Sequence, residues 1–253
     1  MPLEVEDTMS LLYIFAATPM EGKPIRKIGA LQSASSELRC GPNELMLMIG
    51  GMGPMNAKQI AERSLKLDSS ASNSRKPDAV LSIGLCGGLS RSLSEGKIVA
   101  YTACLSTHST MPALTCSPAI TDSIAALLKR AEIICDRVTG ITSSRFATTP
   151  SEKLELAQSG AFVVDMESYS ILEAAHAANI PAAVIRVVSD TADFELPDFN
   201  QALNDVGVFD GRKALRVALR SPLRTAKLLN ANRRAMRNLT KALETILKAD
   251  CFN

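Results

Sequence analysis

The sequence predicts an α/β fold with a mixed, mostly parallel sheet. Apolar runs of strand length alternate with segments of helical periodicity, and glycine- or acid-bearing turns follow the apolar runs. The chain's 253 residues, 46% of them hydrophobic, suffice for one sizeable core. A single domain over 1–253 is expected, with an α/β core at 11–200 and a helical tail at 211–253.

Residues 11–17 read as the first strand, closed by Thr18-Pro19, and Pro24 is compatible with a helix start. Residues 45–49 read as a buried strand that runs into the loop Gly50–Asn56 and a helix over 57–67. The polar stretch 68–77 reads as a mobile loop. Another strand, 79–83, leads into a second glycine loop at 84–88. Residues 97–101 are β-rich, 104–118 irregular, and 121–131 helical with Thr121 or Asp122 as cap. Residues 133–140 and 141–143 read as strands about a turn, and 151–158 as a helix with Glu152 in its first turn.

Val163-Val164-Asp165-Met166-Glu167-Ser168 then reads as a strand and an acid-bearing turn. A helix over 167–178, a buried strand over 180–185 and a second acid-bearing turn at Ser189-Asp190 follow. From Gly211 onward, eleven Lys or Arg are opposed only by Glu244 and Asp250, and apolar residues recur at helical spacing around Pro222. That pattern predicts two or three amphipathic helices with a basic outer face.

A formal net charge of +2 gives no reason to expect a nucleic-acid partner. Six cysteines without a CxxC pair and only two histidines argue against a metal site. No signal peptide or membrane-length apolar run is evident, so a cytoplasmic location is expected.

The chemistry-bearing residues fall at strand ends, where open α/β sheets bind ligands. Glu21 reads either as a solvated loop carboxylate or as a general base on water. The two glycine loops are either tight turns or places where backbone N–H groups approach a ligand. Glu167 offers two oxygens to a vicinal diol, or simply stabilises a helix N-terminus. Asp190 is a proton donor to a leaving group, or a turn cap. Phe146 stacks on a planar base, or packs in the core. Asp165 and Asp193 read as structural acids, Arg186 as half of a buried ion pair, and His108 and His176 as structural.

Taken together, these segments resemble the purine nucleoside phosphorylase/nucleosidase superfamily over roughly 11–200. They are most similar to methylthioadenosine/S-adenosylhomocysteine nucleosidases and to hopanoid-associated phosphorylase-like proteins. The resemblance implies a three-layer αβα fold around a central mixed, mostly parallel twisted sheet, with the helical tail added. It implies that Glu21 activates water, that Glu167 holds the ribose hydroxyls beside Met166, and that Asp190, beside Ser189, donates a proton to purine N7. Met52 and Gly53 fall in the sugar-pocket segment, Leu85, Cys86 and Gly87 in the second glycine loop, and Phe146 at the base-stacking position.

The expected ligand is a purine nucleoside, with no cofactor and no metal, and phosphate as co-substrate only for a phosphorylase. Homodimers or larger homo-oligomers are implied. The basic tail reads either as a solvated helix face or as a site of peripheral membrane contact. Two departures bear on the reaction. Leu85 stands where these relatives usually have Ser, and Ser82 and the Thr18–Glu21 turn hold places where phosphorylases carry Arg. Hydrolysis of an adenine nucleoside is therefore the expected activity. Phosphorolysis of a nucleoside or of an adenosyl-lipid (hopanoid-type) substrate is the alternative, and a catalytically weak nucleoside-binding protein is a third reading.

Overall fold

The computed structural model describes residues 9–31, 38–67, 75–108, 112–204, 209–249 and 251–252. Residues 68–74 of the expected polar loop, 109–111 of the expected irregular stretch, and Asp250 lie outside them. In chain order the elements begin with β1 (Ser10–Ala16), α1 (Pro19–Ile28), β2 (Ala30–Leu31), β3 (Leu38–Cys40), β4 (Asn43–Ile49), α2 (Pro54–Leu67), β5 (Ala79–Gly88) and β6 (Ile98–Ser106). They continue with β7 (Leu114–Thr115), α3 (Pro118–Arg130), β8 (Cys135–Thr142), α4 (Pro150–Ala157), β9 (Val163–Asp165), α5 (Ser168–Ala177) and β10 (Ala182–Asp190). A 3-10 turn at Phe199–Ala202, α6 (Gly211–Arg220) and α7 (Pro222–Leu247) complete the described chain.

The strands form one 10-stranded mixed sheet. The long registers β1–β4, β5–β10 and β6–β8 are parallel, while β10–β6 and β5–β9 are antiparallel. Because β8 also pairs with β9, the strands β5, β10, β6, β8 and β9 close into a ring, and β1, β4, β3 and β2 extend it as an open wing.

Burial on both faces explains the near-continuous apolar strands. Along β1, Leu11, Tyr13 and Phe15 enter one core, and Leu12, Ile14 and Ala16 enter the other. The first core is roofed by α2 through Ala57, Ala61 and Leu65 and by α5 through Ile171, Leu172 and Ala175. The second is roofed by α1 (Ile25), α3 (Ile120, Ile124, Leu128) and α7 (Ala235, Leu239, Leu243, Ile246). The architecture is thus helix–sheet–helix. The C-terminal half of α7 is core, not appendage. Asn43 Nδ2 fastens its end by donating to the carbonyls of Leu247 (2.7 Å) and Ala249 (3.0 Å).

Several local expectations are corrected. The glycines at 84–88 do not make a loop: β5 continues to Gly88, paired with β10 on one side and β9 on the other. A Cβ at Gly87 would lie 3.2 Å from Asp190 Oδ2, so glycine serves close strand approach there. Gly140 likewise sits inside β8, where a Cβ would meet the Tyr101 ring at 2.1 Å. The first helix starts at Pro19, with Pro24 inside it, because Thr18 and Glu21 form a capping box upstream. The α3 helix starts at Pro118, and Thr121 lies within it.

Candidate active site

The C-terminal ends of β1, β5, β9 and β10 open onto one cavity of about 290 Å³. Its wall includes Glu21, Met52, Leu85, Cys86, Gly87, Phe146, Met166, Glu167, Ser189 and Asp190. Every residue expected from the sequence lines this space except Gly53, which reaches it through Glu167: the Gly53 N–H donates to Glu167 Oε1 at 3.0 Å.

Glu21 sits in the first turn of α1, buried. Its Oε2 accepts from the Thr18 amide (3.0 Å) and hydroxyl (2.8 Å), and its Oε1 from the Leu85 N–H (2.9 Å). The solvated-loop reading of Glu21 is therefore excluded. Leu85 contributes a backbone donor, for which the identity of its side chain is immaterial.

Glu167 is the N-cap residue of α5, and its carboxylate is buried. Burial pushes its pKa up to about 7; Arg186 opposes the shift, and the charges of Asp165 and Glu21 reinforce it. Asp165 shapes this turn from below. It accepts from the hydroxyls of Tyr101 (2.9 Å), Thr142 (2.8 Å) and Ser168 (2.5 Å) and from the amides of Glu167 and Ser168. Burial alone would raise its pKa, but Arg186 and these donors hold it below the ordinary carboxylate value.

Arg186, on β10, is completely enclosed. Its Nε lies 3.5 Å from Asp165 Oδ2 and its Nη2 3.6 Å from Glu167 Oε2, and it also donates to Ser82 Oγ and Ser168 Oγ. It is the expected buried ion pair and more, because it reaches a carboxylate of the cavity wall. Gly84 makes room for it. A Cβ there would stand 2.4 Å from Arg186 Nη1 and 2.5 Å from Glu21 Oε1, so the two groups flank one point.

Asp190 ends β10. Burial raises its pKa, opposed by Lys153 and Ser189. Lys153 Nζ, itself buried, donates to Asp190 Oδ2 (2.5 Å) and to the carbonyls of Thr191 (2.7 Å) and Phe194 (2.9 Å). Ser189 Oγ lies 2.6 Å from Asp190 Oδ1 and 3.0 Å from the Cys86 carbonyl. Cys86 is no nucleophile, since burial pushes its thiol pKa well up.

Phe146 is held by a reciprocal pair of 2.9 Å bonds with Asn200: its N–H donates to Asn200 Oδ1, and Asn200 Nδ2 donates to its carbonyl. Its ring stands edge-on to Phe199 at 6.3 Å and to Phe209 at 6.4 Å. This aromatic group and Leu228 and Leu229 of α7 give the cavity an apolar wall, to which α7 adds the polar side chain of Asn232.

The geometry has counterparts. The phosphorylase superfamily family model matches residues 33–218. The chain belongs to that superfamily. Its fold is similar to that of a Neisseria meningitidis 5′-methylthioadenosine/S-adenosylhomocysteine nucleosidase solved with methylthio-immucillin-A, with a TM-score of 0.73 and 17% identity over 94% of this chain and 99% of that one. It is similar to a Streptococcus pyogenes S-adenosylhomocysteine nucleosidase solved with 5-methylthiotubericidin (TM-score 0.66, 18% identity, 93% and 96% covered). It is also similar to the futalosine hydrolase of Helicobacter pylori (TM-score 0.70, 13% identity, 94% and 97% covered).

Lys153, Asn200, Phe199 and Phe209 of this superfamily member were not legible as site residues. Lys153 carried no signal, because a lysine in an amphipathic helix reads as surface. Asn200 and the two phenylalanines lie in an irregular stretch without periodicity. The amphipathic spacing of the tail agrees with the buried face of α7, which packs into the second core.

Proposed function

We propose that this chain hydrolyses the N-glycosidic bond of an adenine nucleoside, releasing adenine and a ribosyl product. One observation carries the reading: Glu21, Glu167 and Asp190, remote in sequence, line a single cavity in three different electrostatic settings. Each carboxyl has its own donors: Thr18 and Leu85 for Glu21, Gly53 for Glu167, Lys153 and Ser189 for Asp190, which suits the three to separate base, binding and acid roles.

The base stacks on Phe146. Asp190 gives a proton to the purine as the bond from the base to C1′ breaks, and the bonding pair leaves with the base. Glu167, fixed by the Gly53 amide, binds the ribose hydroxyls, and its charge favours the cationic sugar of the transition state. Water bonds to C1′ and passes a proton to Glu21, whose orientation the Thr18 and Leu85 donors fix.

Water is favoured over phosphate on charge. A phosphate dianion at Glu21 would meet a carboxylate, and Arg186 beside it is already committed to Asp165 and Glu167. The family resemblance supports a homo-oligomer and a cytoplasmic setting as part of the same proposal. Adenine release from adenosine, methylthioadenosine and S-adenosylhomocysteine, measured with and without phosphate, tests the reaction. Free ribosyl product at a rate indifferent to phosphate is expected. A ribose 1-phosphate product would make the chain a phosphorylase, and no release from any nucleoside would leave only a binding role.

A further inference from the structure

The outer edge of α6 and the start of α7 carries a row of leucines that the fold leaves uncovered. Leu215 is 60% exposed, Leu219 70% and Leu223 86%. At 100° per residue, the one buried side chain of α6, Val217, points opposite to the midpoint between Leu215 and Leu219. The leucine edge therefore faces away from the side on which α6 rests on the protein body.

Cations border this edge. Arg212, Lys213, Arg216 and Arg220 all lie on α6, which contains no acidic residue, and none of the four forms an ion pair among the described residues. Farther along, Arg224 pairs with Glu195, Arg234 pairs with Glu95 and Lys227 sits over the Phe194 ring, whereas Arg233, Arg237, Lys241 and Lys248 form no ion pair among the described residues. On α6 itself no carboxylate offsets the cations beside the leucines; Arg220 donates to the neutral Gln201 Oε1 at 3.4 Å.

We propose that α6 and the first turn of α7 form a membrane-surface dock for an anionic lipid bilayer, with the leucines entering the acyl boundary and the α6 cations meeting the headgroups. Charge complementarity selects this occupant. A second copy meeting the same face about a two-fold axis would set two acid-free, fourfold-cationic helices against each other. Among the described residues no helix is long and apolar enough to cross a membrane, so the contact is peripheral. The dock adjoins the cavity: Phe209 precedes α6, and Leu229 of α7 both lines the cavity and is half exposed. The inference does not depend on the reaction assigned to that cavity.

The test is co-sedimentation of the full chain with vesicles of phosphatidylcholine alone and of phosphatidylcholine mixed with phosphatidylserine. Binding to the mixed vesicles only, weakened by salt, is expected. The triple variant Leu215→Ser/Leu219→Ser/Leu223→Ser should lose roughly tenfold or more of that binding, and so should Arg212→Glu/Arg216→Glu. Both variants should keep the melting temperature of the parent and any turnover of a soluble nucleoside. Absence of binding to anionic vesicles overturns the proposal, as does undiminished binding by the leucine variant. So does sedimentation velocity showing that the leucine variant dissociates an oligomer, which would assign the row to a subunit interface. Retention on an RNA column in place of vesicles would assign the cations to nucleic acid.

Discussion

Lys153 Nζ stands 2.5 Å from Asp190 Oδ2, and both groups are cut off from solvent. The lysine comes from α4 and the aspartate from the end of β10, so the contact ties a helix to the floor of the cavity. Removing one partner of a buried pair leaves the other charge uncompensated, which costs about 3–5 kcal/mol. Lys153→Met is expected to lower the melting temperature on the order of 10 °C and to raise the Asp190 pKa further. The double variant Lys153→Met/Asp190→Asn should be more stable than Lys153→Met alone, since it no longer buries an unpaired carboxylate. Thermal melts of the four proteins in the cycle check this; strict additivity would mean that the two side chains do not interact.

Asp190→Asn by itself leaves the Lys153 charge buried without its carboxylate and should melt lower, but at temperatures where it is folded it should bind nucleoside and turn over about 100- to 10,000-fold more slowly, the usual contribution of a general acid. Turnover near that of the parent would remove Asp190 from the proton-donating role.

Glu167 gives a pH signature in both stability and binding. Its folded pKa of about 7 lies above the ordinary 4.5. The folded state therefore binds this proton more tightly than the unfolded state does. The stabilising effect of that proton is fully present below about pH 4.5 and is lost as pH rises to about 7, a penalty on the order of 3 kcal/mol at alkaline pH. Glu167→Gln should remove this slope and be more stable than the parent at pH 8, as denaturant titrations across pH would reveal. The same substitution should abolish the rise in nucleoside affinity that accompanies ionisation of Glu167 as pH passes through about 7.

Gly84→Ala tests how tightly the wall is packed. The new methyl would intrude on Arg186 and Glu21 at a backbone φ of +155°. A loss of about 1–3 kcal/mol is expected from overpacking, with turnover falling more than the melting temperature alone would explain. Unchanged kinetics would show that Glu21 and Arg186 have room to move without consequence.

Asn200 holds Phe146 by two backbone bonds without itself lining the cavity. Asn200→Ala should loosen the aromatic plate and raise KM roughly tenfold, at a net cost of about 0.5–1.5 kcal/mol per hydrogen bond, while kcat changes less. Steady-state kinetics separate the two parameters.

The contrast between what the sequence disclosed and what it concealed follows from periodicity and range. The strands at 11–17, 79–83 and 180–185 were legible because burial on both faces leaves unbroken apolar runs, and β1 and β10 are indeed buried throughout. Glu167 and Asp190 were legible because each follows such a run. Gly84–Gly88 misled because glycine marks a turn and a close strand approach in the same letter. Lys153 was hidden for a different reason: only its tertiary contacts with Asp190 and the carbonyls of Thr191 and Phe194 turn an ordinary helix-surface lysine inward.

The placement of α7 has a consequence for biosynthesis. Its last turns fill the second core and its first turns supply Leu228 and Leu229 to the cavity wall, although β1, which opens that cavity, is made first. A ribosome-bound chain lacking this helix holds the three carboxylates in a half-built hollow with one flank open to water. Until α7 docks, the apolar strand faces that it covers would stand exposed, the kind of surface a chaperone shields.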